Sequence, residues 1–184
     1  MQGKRRAAAA ALTVVLAHLV TGCQAAADAP AFGREAARAE IRTAVAAAGL
    51  PESELPGPGE ATGTAAPATE RDRIARRAAP CAAGWQYVGP AVDGSLGKYD
   101  KALTALAGKG WAGSGERKAL PVGGDDGPLT QVVLKKDGWT LFARHMPSRT
   151  LGADMVSFNA TEDACMQQFT EREIDLLSGE EAGH

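Results

Sequence analysis

The sequence predicts an α+β fold: an antiparallel sheet of about four strands with helices packed mainly on one face, preceded by an Ala-rich helix and a flexible linker. Three observations lead there. Asp137-Gly138 sits between alternating runs in "TQVVLKKDGWTLFARH", the pattern of a two-residue hairpin turn. "SLGKYDKALTALAGKGW" carries apolar residues at helical spacing and closes on glycine. "ADMVSFNAT" follows the hairpin after a loop short enough for an antiparallel neighbour.

The N-terminal elements come first in the chain. Lys4, Arg5 and Arg6 form a positive start, and Ala7 to Val20 is almost wholly apolar. That run is too short for a membrane-spanning helix, which needs about 20 apolar residues, but it suits a signal-peptide core. Val20-Thr21-Gly22-Cys23 resembles the lipobox of bacterial lipoproteins, with Val20 where leucine is commoner. The resemblance implies a diacylglycerol on the Cys23 sulfur, palmitate-type acylation, and cleavage just before that cysteine. Residues 1–22 are then a lipoprotein signal peptide and 23–32 a tether. Two acyl chains hold a protein on a membrane where one binds only marginally. The competing reading is an ordinary secretory leader followed by a chance cysteine. Arg5-Arg6 lacks the surroundings of a twin-arginine signal, which leaves the export route open.

Residues 33–50 read as the Ala-rich helix, with Ala37, Ile41, Ala44, Val45 and Ala48 on one face, Gly49 as its stop and Pro51 beyond. Residues 51–68 are rich in Pro, Gly, Ala and Thr, with little to bury, and are expected to be an exposed loop or linker. The α+β domain is placed at 69–184. Thr69 caps a helix, "ERDRIARRAA", whose four arginines make a solvated face, with Asp72 and Arg76 as an i,i+4 pair. "GWQYVGP" is a strand. The next helix runs from about Gly97 to Ala107, with Tyr99, Ala102, Leu103 and Leu106 on one face. The hairpin register pairs Val132 with Ala143, Leu134 with Leu141, and Lys136 with Trp139. Those residues other than the turn-flanking pair face the helices; Gln131, Val133, Lys135, Thr140, Phe142 and Arg144 face away, half polar. Thr170 with Glu173 forms a capping box for a last helix ending near Gly179.

Composition limits function. Aromatics are 5% of the chain and alanine is abundant, so the core is expected to be modest and aliphatic. The formal net charge is −2 and grows more negative once the basic leader is lost, which argues against a nucleic-acid partner. Cys81 and Cys165 are expected to form one disulfide, as two cysteines in an exported domain most simply do. A free catalytic thiol with His145 as its base competes with that, and so does a two-cysteine metal site, although no second ligand lies close to either.

Several motifs have the letters of chemical sites. Gly108-Lys109-Gly110-Trp111-Ala112-Gly113 matches G-x-G-x-x-G, but a helix precedes it and a strand follows, the reverse of the dinucleotide arrangement. It reads as a turn. No G-x-S-x-G, H-E-x-x-H or P-loop is present. His145 reads as a partly exposed strand-end histidine, its pKa depressed by Arg144 and Arg149. Asp125 and Asp126 read as a polar loop rather than a calcium site. Trp85, Trp111 and Trp139 read as core or sheet-edge residues rather than sugar platforms.

Taken together, the lipobox, Ala-rich helix, Pro/Gly segment and two-cysteine domain resemble a small actinomycete-type bacterial lipoprotein. The resemblance implies attachment to the extracytoplasmic face of the cell membrane through Cys23. It supplies no substrate, cofactor, metal or catalytic residues. The expected function is a non-enzymatic module binding a small ligand or an envelope protein, through the sheet face around Phe142 and Arg144 or the loop near Asp125. An envelope hydrolase using His145 with Asp154 or Glu162 is the alternative, and a structural spacer the third. The hydrolase needs His145 in a cleft, within reach of an acid and a nucleophile.

Overall fold

A computed structural model describes residues 31–53, 55–57, 60, 67–122 and 127–178. The signal peptide, Cys23, most of the tether, Asp125, Asp126 and Gly179 lie outside the described residues. The compact unit is Phe32–His184.

Within it run α1 (Arg34–Ala48), α2 (Glu70–Ala78), a 3-10 turn (Ala79–Cys81) and β1 (Ala82–Pro90). Then follow α3 (Ser95–Ala107), β2 (Ala112–Gly113), β3 (Lys118–Leu120), β4 (Leu129–Lys136) and β5 (Trp139–Ser148). β6 (Ala153–Glu162), α4 (Asp163–Met166) and α5 (Glu171–Ser178) complete it. The antiparallel sheet is ordered β1-β6-β5-β4, with β2 and β3 both pairing the far edge of β4. It therefore has six strands rather than four. The two extra strands span two and three residues, too short to show an alternating pattern.

The hairpin adopts the expected register, including Leu134 opposite Leu141 and Lys136 opposite Trp139. Asp137 (φ 46) and Gly138 (φ 79) both take the left-handed conformation that a type I′ turn requires.

α1 packs into the core of the α+β domain, so the division drawn at residue 69 does not separate them. Its buried face shares one cluster with Tyr99, Ala102 and Leu106 of α3 and with Leu141, Ala143 and Phe158 of the sheet. The many alanines on that face let backbones approach closely. Glu40 fixes the contact: its carboxylate accepts from Trp111 Nε1 at 2.8 Å and from Lys136 Nζ at 2.7 Å. The core is also less aliphatic than composition suggests, because Trp111, Trp139, Tyr99 and Phe158 are its largest fully buried side chains.

The start of the Pro/Gly segment is folded down rather than free. Gln86 Nε2 donates to the Pro56 carbonyl at 3.0 Å, and Arg42 reaches Glu60 at 2.6 Å. A Cβ on buried Gly57 would stand 2.6 Å from the Gly84 carbonyl oxygen, so glycine is what lets the two backbones meet.

The next helix, α2, pairs with α5 through Arg77 and Glu173, 2.6 Å apart. Both helices start with a capping box, Thr69 with Asp72 and Thr170 with Glu173. Asp72 serves the helix N-terminus first, and the Arg76 charge adds to the forces that hold its carboxyl below the usual range. Cys81 and Cys165 stand at disulfide distance beside them, with Cα atoms 5.5 Å apart.

Candidate functional site

Two places gather polar chemistry, one inside the sheet and one outside it. The inner one centres on His145. Two residues beyond Ala143, it falls on the packed face of β5 and is only 3% exposed. β5 continues to Ser148, so His145 is neither at the strand end nor partly exposed. Its Nε2 lies 2.9 Å from Ser95 Oγ at the first turn of α3. Burial pushes its pKa down, the neighbouring Asp154 and Asp100 oppose that, and Arg117 adds to it. The expected direction holds, but the cause is desolvation rather than Arg144 and Arg149.

A hydroxyl within reach of an imidazole is part of a hydrolytic site. The pair is closed off, with Ser95 9% and His145 3% exposed. Asp154 is 4% exposed, and its Oδ2 accepts from the Val92 amide at 2.7 Å. Glu162 pairs with Trp139 at the opposite end of β5 from His145. Neither cavity described below reaches Ser95 or His145. The geometry is that of a polar side-chain pair satisfied inside the packing, holding the start of α3 to β5.

The outer site is the sheet face that turns away from α1 and α3. Cross-strand register sorts its side chains into rows. Gln86, Ser157, Arg144, Gln131 and Lys118 are successive partners across β1, β6, β5, β4 and β3, forming a polar row. One pleat nearer the β5–β6 turn, Val88 pairs with Met155 and Met155 with Met146. Leu129, one residue beyond the last β4–β5 pair, lines one cavity with Met146 and pairs with Leu120. That row is wholly apolar. Val88 is 50% exposed, Met155 42% and Leu120 38%.

Arg144 is held upright on the polar row. Its Nε donates to Gln131 Oε1 at 2.8 Å, and its guanidinium lies 5.9 Å from the Phe142 ring centre. No Asp or Glu stands on either row, so the face is locally cationic on an acidic protein. A cavity of about 300 Å³ opens here between Gln86, Val88, Leu129, Arg144, Met155 and Asn159. The Asn159 Oδ1 is buried and accepts no hydrogen bond. A second cavity, about 400 Å³, lies between α1, the folded Pro/Gly segment and β1, with Arg42 and Glu60 in its wall.

Comparison adds no identity to this geometry. No protein-family model, curated protein or solved structure matches the chain.

Of the residues singled out by sequence, Phe142 and Arg144 share the outer face, while Trp111 and Trp139 are fully buried and Trp85 nearly so. None of the three tryptophans offers a stacking platform. Among the described residues no cluster of three metal-ligating side chains forms, and no helix is long and apolar enough to cross a membrane. Ser95 and the apolar row have no motif in the sequence to mark them. The row follows once the hairpin register is extended through β6 to β1, but the sequence pattern gives the pairing of β1 with β6 no signature comparable to Asp137-Gly138.

Proposed function

We propose that this protein is a lipid-anchored lipoprotein on the extracytoplasmic face of the cell membrane, and that it binds a ligand or envelope partner non-enzymatically through the open sheet face. The observation that carries the binding role is the outer face itself. It is sorted across five strands into a cationic polar row and an apolar row, with a cavity between them and an acceptor at Asn159 that no described group satisfies. A buried acceptor without a donor is costly, so such groups point to a missing partner. The anchor is supported by the basic and apolar leader ending at Val20-Thr21-Gly22-Cys23. The cysteine pair suits an oxidising compartment.

Native mass spectrometry of the full-length protein, gently extracted from its own membrane, tests both parts. The expected result is a chain beginning at a diacylglyceryl Cys23, two hydrogens lighter for the disulfide, and an additional non-covalent mass that Arg144→Glu removes. An unmodified chain beginning elsewhere overturns the anchor. A bound partner that survives change of the outer face overturns the assignment of the site.

A further inference from the structure

The geometry points to a single-chain anionic amphiphile as the occupant of the outer face, its acyl chain along Val88, Met155, Met146, Leu129 and Leu120 and its acidic head against Arg144 and Lys118. This rests on the binding role proposed above and names the class of ligand for that same face.

The two rows are parallel and one pleat apart, so a ligand lying across the strands meets both along its length. Apolar side chains from five neighbouring strands span about 19 Å at the usual spacing of ~4.8 Å between strands. One leaflet of a bilayer is about 15 Å of hydrocarbon, half of a ~30 Å core, and that is the reach of one acyl chain. The row is therefore as long as one chain and one side chain wide, where two chains would need a broader floor. Two of its five members are methionines, flexible and polarisable enough to follow a moving chain. The cavity, about 300 Å³, is at the small end of ligand sites, again fitting one chain rather than two.

The head is set by charge. Arg144 and Lys118 face out without a carboxylate on their row, and Ser157 and Gln131 add neutral donors beside them. A guanidinium braced by Gln131 presents its terminal nitrogens to a carboxylate or phosphate in forked geometry. The unsatisfied Asn159 Oδ1 calls for a donor in the ligand, as a hydroxylated head such as phosphoglycerol carries and a bare carboxylate does not. A monoacyl phosphoglycerol meets the chain, the charge and the donor together.

The test uses the whole chain carrying Cys23→Ser, which removes the acylation site and nothing else. Palmitate, monoacyl phosphoglycerol and uncharged monoacylglycerol, each below its micelle concentration, compete with a fluorescent fatty acid. The expected result is binding of all three by the parent chain, with monoacyl phosphoglycerol tightest. Met155→Asp weakens all three at least tenfold. Arg144→Gln weakens the two anions about tenfold and leaves the uncharged lipid within about twofold. Both positions are exposed, and circular dichroism with a thiol count checks that each variant is folded and bridged.

Equal binding by parent and variants assigns the lipid to another part of the chain, the apolar leader included, and overturns the inference. So does flotation with phosphatidylglycerol vesicles without binding of monomeric lipid, which makes the face a bilayer contact. So does a concentration-dependent dimer that Met155→Asp dissociates, which makes the occupant a second copy. In these last two results the outer face is still a binding surface and only the ligand class fails. If no lipid binds and photocross-linkers at Arg144 and Met155 capture nothing in intact cells, the binding role fails as well.

Discussion

His145 is where the chemistry of one residue differs most from its surroundings in sequence. Flanked by Arg144 and followed by a methionine and a proline, it reads as a surface group, yet strand parity puts it on the packed face with Leu141 and Ala143. Its folded pKa is lowered from the usual 6.5, chiefly by burial. The unfolded chain therefore takes up the proton first, and stability present above about pH 6.5 is lost as pH falls toward the folded value. Urea midpoints measured at pH 7.5 and 5.5 should fall further for the parent chain than for His145→Gln. An equal fall in both would remove His145 from the acid response. Ser95→Ala should cost about 1–3 kcal/mol at neutral pH, because it strands a buried ring nitrogen. Burial acts on Tyr99 in the opposite sense, pushing its phenol to about 12, and its hydroxyl donates to the Ala143 carbonyl at 3.0 Å.

Among the elements, α1 shows how far a periodic pattern can be read. The stripe Ala37, Ile41, Ala44, Val45 and Ala48 is legible in sequence and is buried as expected. What it packs on is not legible, because a stripe of alanine and valine fits any smooth apolar surface. Glu40 carries the missing information, and it does so through Trp111 and Lys136, which are distant in sequence. Ile41→Ala should destabilise the whole domain by about 2–5 kcal/mol in a single cooperative transition. A separate early transition for α1 would show that the helix is only an appendage. The hairpin was legible for a local reason, since Asp137-Gly138 fixes the register by its own backbone geometry. Gly57 was illegible for the opposite reason: in a Pro/Gly-rich stretch it looks like loop composition, but its contact is the Gly84 carbonyl in another element. Hence Gly57→Ala should force the segment off β1 and open the cavity beside α1, read as faster amide exchange at Gln86. Of the candidate site, Phe142 and Arg144 were legible from alternation, whereas the partners that make a row of them come from β1 and β6.

At the scale of the whole molecule, the fold has two unequal sheet faces. One is closed by α1 and α3, and the other exposes Val88, Met155 and Leu120. α1 and α3 on one face are enough for a core in a chain this rich in alanine. The disulfide sits at the edge of this plan, between the turn before β1 and the short helix after β6. All six strands therefore lie inside one covalent ring, its closing points at a sequence separation of 84. In the chain-entropy account such a ring is worth about 4–5 kcal/mol, through the freedom it denies the unfolded chain.

That ring has a mechanical meaning as well. Tension applied between the two ends of the chain enters at Cys81 and leaves at Cys165 without ever loading a strand. Stretched in an optical trap, the oxidised protein should surrender only the residues outside the ring. Reduction should then release roughly 280–300 Å of further extension as the sheet unravels. Pulled from its N-terminal side against a hold on the sheet, the molecule would lose α1 and the folded Pro/Gly segment first, while the strands inside the ring stay in register.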